Sequence, residues 1–132
     1  MIEIRTVKDN TNKFLNDLNI LNEIIEKAAT ETEKEMKKSI TNGAKTGLIY
    51  TRRGLKHRSS APGQAPANDT GKLVGSISTK SRKKGIVEVV IGALYAMPLE
   101  FGNSRMKARP FIIPAVEKVS KKLEKLFEVL FK

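Results

Sequence analysis

Positions Leu18, Leu21, Ile25, Ala29, Thr32, Met36 and Ile40 recur at steps of three and four. Their mean spacing of about 3.67 residues is that of one face of an α-helix. The cluster Asp9-Asn10-Thr11-Asn12 offers N-caps just before this stripe, and Asn42-Gly43 supplies a stop. Glu23–Lys27 and Glu33–Lys37 add supporting pairs on the outer face. A helix of about thirty residues would span roughly 45 Å. A compact domain of this size is only about 35 Å across. The helix should therefore overhang its own globule, and call for a neighbouring subunit, unless it kinks near Thr30–Thr32. Ahead of it, Ile2 and Ile4 alternate with Glu3 and Arg5, the pattern of a short edge strand.

The period changes further on. Ile77 and Thr79 alternate with Ser78 and Lys80, and Val87, Val89 and Ile91 alternate with Glu88 and Val90. Arg82-Lys83-Lys84-Gly85 lies between them, with Gly85 suited to the left-handed position of a bulged hairpin. Two short strands need a helix packed across them. Val116, Val119, Leu123, Leu126 and Leu130, flanked by Phe127 and Phe131, form an apolar stripe for that helix. Helix, hairpin, helix is an α+β order.

Residues 43–70 carry few large apolar groups. With Tyr50-Thr51-Arg52-Arg53-Gly54-Leu55-Lys56-His57-Arg58 at their centre, they read as a long basic loop, flexible over about 44–69. Thr70-Gly71-Lys72-Leu73 restarts regular structure. Within Tyr95–Pro114, Pro98 fits only a first helical turn, and Gly102 stands where a left-handed residue would end that helix. Arg109 and Ile113 each precede a proline, which disfavours the α region. The stretch 110–114 should then be extended, with Pro114 opening the last helix.

At 132 residues the chain reads as one domain, 1–132, with enough aliphatic side chains for a core. The absence of Cys excludes disulfides, thiolate metal sites and cysteine nucleophiles. The opening Met1–Arg5 lacks the basic-then-apolar order of a secretory signal, and no apolar run is long enough to cross a bilayer. The net charge of +11 is concentrated in residues 43–85, which hold ten basic groups against Asp69 alone. That stretch suits nucleic acid, an acidic protein surface or plain solubility. His57 is the one histidine, flanked by Lys56 and Arg58, and no second His or Cys could complete a transition-metal site with it. Ser59 and Ser60 lack a GxSxG turn, and Gly63 and Gly71 lack the spacing of a phosphate-binding loop. The reading is therefore non-enzymatic, with no cofactor and no metal.

Two blocks point to a family. One is Tyr95-Ala96, Leu99-Glu100-Phe101-Gly102, Met106, Ala108-Arg109-Pro110-Phe111 and Pro114-Ala115. The other is Ser60-Ala61-Pro62-Gly63-Gln64-Ala65-Pro66 with Asp69–Leu73 and Ser76-Ile77. Together they resemble, in order, the small neck or tail-completion proteins that join head to tail in long-tailed bacteriophages and prophages. The resemblance implies a virion protein of the head–tail junction, made in the bacterial host cytoplasm. It implies a ring of identical subunits meeting other neck, connector or tail proteins. Tyr95, Glu100, Phe101, Gly102, Arg105, Arg109 and Phe111 become candidate subunit-interface residues. Arg52, Arg53, Lys56 and Arg58 become a candidate partner-binding arm, with DNA contact the less favoured use. The rivals are a basic nucleic-acid-binding protein, which has only Tyr50 in this arm to stack on bases, and a membrane-surface protein using the last helix. A membrane partner is not expected.

Overall fold

The computed structural model describes residues 2–130, with side chains from residue 11 onward. The protein is α+β: a long N-terminal helix, two small antiparallel sheets and a C-terminal helix. Helix α1 runs from Ile2 to Asn42, about 62 Å at 1.5 Å per residue. It takes in Ile2–Arg5, expected as a strand, and passes through the Asp9–Asn12 cluster expected to cap it. Neither local signal interrupts a helix that continues on both sides. The helix is also assigned without a break through Thr30 and Thr32. Their hydroxyls donate to the carbonyls of Glu26 and Ala28, four residues back, at 3.0 and 2.8 Å, so they join the helix rather than break it.

The core lies where the C-terminal half of α1 meets the rest. Met36 and Ile40 are fully buried with Leu73, Ile77, Ala96, Phe111 and Ala115. Leu73 comes from the single turn α2 (Lys72–Gly75), and Ile77 from β3 (Ile77–Lys83). Strand β3 pairs with β4 (Ile86–Ile91) in the register Ile77↔Ile91, Thr79↔Val89, Ser81↔Val87. The turn is Lys84-Gly85, tighter than the four residues expected. It carries a bulge between Ser81 and Lys83, and Gly85 has φ 84°. Helix α1 packs against both strands of this hairpin, and helix α4 (Ile112–Leu130) lies antiparallel beside α1. Three carboxylates of α1 fasten both neighbours. Glu33 accepts from Thr79 at 2.5 Å, Glu35 from Lys118 at 2.9 Å, and Glu31 from Lys122 at 3.1 Å.

Two expectations change here. The segment read as a structureless loop forms its own hairpin, β1 (Ile49–Arg52) with β2 (Leu55–Arg58). Its two-residue turn Arg53-Gly54 has positive φ at both positions, 51° and 78°, the geometry that matches strand twist. The signal was a run of strand-favouring residues, β-branched Ile49 and Thr51 around aromatic Tyr50, before an X-Gly pair. An arginine in place of the usual Asn or Asp masked it. Secondly, the stripe of α4 is covered only in part. Val119 is covered and Leu123 is half-covered, but Val116, Leu126, Phe127 and Leu130 are 36–47 % exposed. Phe131 lies outside the described residues.

Candidate functional site

The segment from Tyr95 to Pro114 is a folded joint. Helix α3 (Ala96–Phe101) holds Pro98 in its first turn and ends at Gly102, whose N–H donates to the Pro98 carbonyl at 2.8 Å. Gly102 has φ 76° and ψ 174°. That is an extended conformation of positive φ rather than the left-handed helical one expected, and it is open essentially to glycine alone. The space is closed as well. A Cβ at this position would meet the Ala108 nitrogen at 2.8 Å and the Met106 carbonyl oxygen at 3.0 Å. Asn103 closes the loop between them, its Oδ1 accepting from the N–H groups of Arg105 and Met106, each at 2.9 Å.

Glu100 is the centre of the joint. Its side chain is 3 % exposed, yet it needs no cation to balance it. Oε2 accepts from the backbone N–H groups of Phe111 and Ile112, and Oε1 from that of Ile113, all at 2.8 Å. These are donors that open α4, which a helix cannot satisfy within itself. A negative charge there also meets the positive end of the helix dipole. Ile113 is thereby held helical although Pro114 follows it, so α4 starts at Ile112, two residues earlier than expected. Pro114, third in the helix, has no N–H to leave unpaired. The sequence showed the acid and the prolines, but not that a carboxylate eleven residues upstream serves as the cap.

The two sequence blocks meet here. The Gly63 N–H donates to the Ala108 carbonyl at 3.0 Å, and Arg109 Nη2 donates to the Ser60 carbonyl at 3.3 Å. Ser60 is buried. Gln64 ties down the base of the β1–β2 hairpin: its Oε1 accepts from the N–H groups of Thr46 and Ala61 at 3.0 and 2.9 Å. Between the hairpin, residues 66–73 and α3 lies a cleft of about 460 Å³, lined by Tyr50, Arg52, Asp69, Lys72, Tyr95 and Arg109 among others.

The candidate interface residues divide. Glu100 and Phe111 are buried inside this chain and cannot face a neighbour directly; they shape the joint instead. Gly102 is half-buried and sets its backbone. Arg109 is half-buried, and its Nε is enclosed with no hydrogen-bond partner. Tyr95 and Phe101 are 46 % and 62 % exposed, and Leu94 and Met97 beside them in the chain are exposed as well. Arg105 is exposed.

The basic residues are likewise unequal. Arg52 forms an ion pair with Asp69. Arg58 donates to the Gly47 carbonyl at 3.3 Å. Arg53 and Lys56 are exposed at the tip and along the second strand. His57 is not a solvated loop side chain. It stacks on Tyr50, ring centroids 5.8 Å apart, with Nδ1 3.6 Å from Asp69. Around these cations Leu48, Ile49 and Leu55 are exposed, so the hairpin offers charge and apolar surface together. Among the described residues no group of His, Cys, Asp and Glu could hold a metal ion. No helix among them is long and apolar enough to cross a membrane. Comparison with protein-family models, characterised proteins and solved structures gave no match, so the functional argument rests on this chain's own residues.

Proposed function

We propose that this chain is a structural, non-enzymatic protein of a long-tailed bacteriophage or prophage. It acts in head–tail joining or tail completion, as a ring of identical subunits at the neck. The observation that carries this reading is the uncovered apolar surface on the joint, Leu94, Tyr95, Met97 and Phe101, together with the exposed Leu48, Ile49 and Leu55 of the basic hairpin. Exposed large apolar side chains together with exposed cations are the composition of a protein-binding face. Tyr95 and Phe101 belong to a block that resembles the neck family, and Glu100 and Gly102 fix the backbone between α3 and α4. Rigid apolar anchors suit a part that must dock in one orientation. Ring neighbours and the adjoining connector or tail protein are the partners this surface fits.

Deleting the gene from the phage or prophage that encodes it should leave heads and tails that accumulate separately in electron micrographs. Supplying the chain in trans should restore joined particles. Normal joining without it would refute the proposal.

A nucleic-acid role is the second reading, favoured by the exposure of Arg53, Lys56 and Arg58 on one hairpin. Duplex DNA binding of micromolar affinity or better at low salt, falling steeply as salt rises, would support it. The assembly reading expects no such affinity in the free chain.

A further inference from the structure

The cleft between the β1–β2 hairpin, residues 66–73 and α3 holds charge that its own chain leaves unanswered. Arg52, Lys72 and Arg109 line its space of about 460 Å³, against the single carboxylate of Asp69. Asp69 is already engaged, by Arg52 and, at 3.6 Å, by Nδ1 of His57. Among the described residues no carboxylate pairs with Lys72 or Arg109. Arg109 is half-buried, and the acceptor its guanidinium finds is the Ser60 carbonyl. A guanidinium drawn partly out of water keeps its charge, and an anion brought to it restores part of the lost solvation.

The rest of the lining suits a protein contact. Pro66 and Leu73 are buried and Leu99 is half-buried, while Tyr50 and Tyr95 are 40 % and 46 % exposed. Tyrosine and arginine over a covered apolar base are the residues that dominate binding at protein interfaces. The cleft also joins the two surfaces already described, Tyr95 coming from the joint and Tyr50 from the basic hairpin.

We propose that this cleft receives an Asp or Glu side chain of a partner protein. The incoming carboxylate meets Lys72 and Arg109, and the residues flanking it meet Tyr50 and Tyr95. The inference rests on the proposed function and names the chemistry of the partner's surface. The cleft falls within the roughly 300–1,000 Å³ of sites that take small groups. Charge selects a carboxylate over nucleic acid. A nucleic-acid backbone is held by cations along a track. Here two unpaired cations share one short cleft with Asp69, whose charge opposes a run of phosphates. Tyr50 is moreover stacked on His57, which takes one of its faces from a base.

Both tyrosines of the chain line the cleft and there is no tryptophan, so tyrosine fluorescence reports on the walls of this site. The full chain is titrated with two tripeptides blocked at both ends, Leu-Glu-Leu and Leu-Gln-Leu. The Glu peptide should give a saturable change at millimolar concentration, and the Gln peptide should bind about tenfold more weakly. Lys72→Gln, altered at an exposed position, should keep the parent's circular dichroism and weaken the Glu peptide about threefold. Raised salt should weaken it too. Equal binding of the two peptides, no saturable change with either, or a Lys72→Gln chain that binds as the parent does would overturn the proposal. Tighter binding of a labelled oligothymidylate, followed by anisotropy and weakened by Lys72→Gln, would assign the cleft to nucleic acid instead. Lys72→Glu supplied in trans to the phage lacking the gene should fail to restore joined particles. Full restoration would remove the cleft from docking while leaving head–tail joining intact. Normal joining in the deletion itself would refute the proposed function, and the neck partner with it.

Discussion

Replacing Glu100 with alanine removes the acceptor of three backbone N–H groups at once. Phe111 is 1 % exposed, so water cannot reach its freed donor without opening the core. An unsatisfied buried donor costs about 1–3 kcal/mol. The N–H groups of Ile112 and Ile113 lie nearer the surface and can be rehydrated, which reduces their loss to the ordinary capping scale of about 1 kcal/mol. The lost charge–dipole attraction adds about 0.3–1 kcal/mol. Against this, the mutant no longer bears the desolvation of a buried carboxylate. The net expectation is a loss of about 2–4 kcal/mol in urea denaturation. Glu100→Gln keeps one carbonyl oxygen but turns an amide N–H₂ toward the donors, and should cost about half as much. Hydrogen exchange at Phe111, Ile112 and Ile113 should quicken in both variants before the rest of α4 is affected. A shift under about 0.5 kcal/mol for Glu100→Ala, with those three amides still protected, would show that the carboxylate is not what starts α4.

Gly102→Ala should cost about 2 kcal/mol or more, from positive φ and from the Cβ meeting the Ala108 nitrogen at 2.8 Å; an unchanged melting temperature would refute it. The carboxyl of Glu33 is held below its ordinary value of 4.5, chiefly by the hydrogen bond from Lys37 and then by that from Thr79. Its contribution is therefore present above about pH 4.5 and is lost as the pH falls through its lowered folded-state pKa. Glu33→Gln should flatten the acid limb of the stability curve, and an identical limb in the variant would refute this. Trypsin should cut the dilute chain first after Arg53 or Lys56, both exposed on the hairpin, and assembly should slow that cleavage. Earlier cutting at the lysines of α4 would refute this order.

What the residues revealed followed how local the cause was. The stripe of α1, the alternation of β3 and β4 and the stop at Gly102 are written in neighbouring residues, and each formed. The Arg53-Gly54 turn was local too, but it placed an uncommon residue at positive φ and passed for loop. The cap on α4 was not legible, because Glu100 and Ile112 are joined only once α3 has folded back. Nor could periodicity tell a stripe covered by its own domain from one left open: Leu126 repeats as regularly as Val119, and only packing separates them. For the candidate site, Tyr95 and Phe101 face outward as an interface would require, whereas Glu100 and Phe111 face inward. A motif marks residues that matter without saying which of them touch a partner.

The unbroken course of α1 also bears on when its projecting part exists. Short helices standing alone in water are marginal, because the first turn is costly to form while each later residue is cheap. Residues 11–20 are almost wholly exposed, so they gain little from packing against their own chain. Their helicity is an extension of the turns that bury Ile24, Met36 and Ile40. The cost of starting the helix is met in the core and its continuation reaches the surface. An unfolded or half-made chain would thus have no ordered helix to offer. Whatever surface residues 11–20 present is a property of the finished fold, absent from a chain whose core has not yet formed.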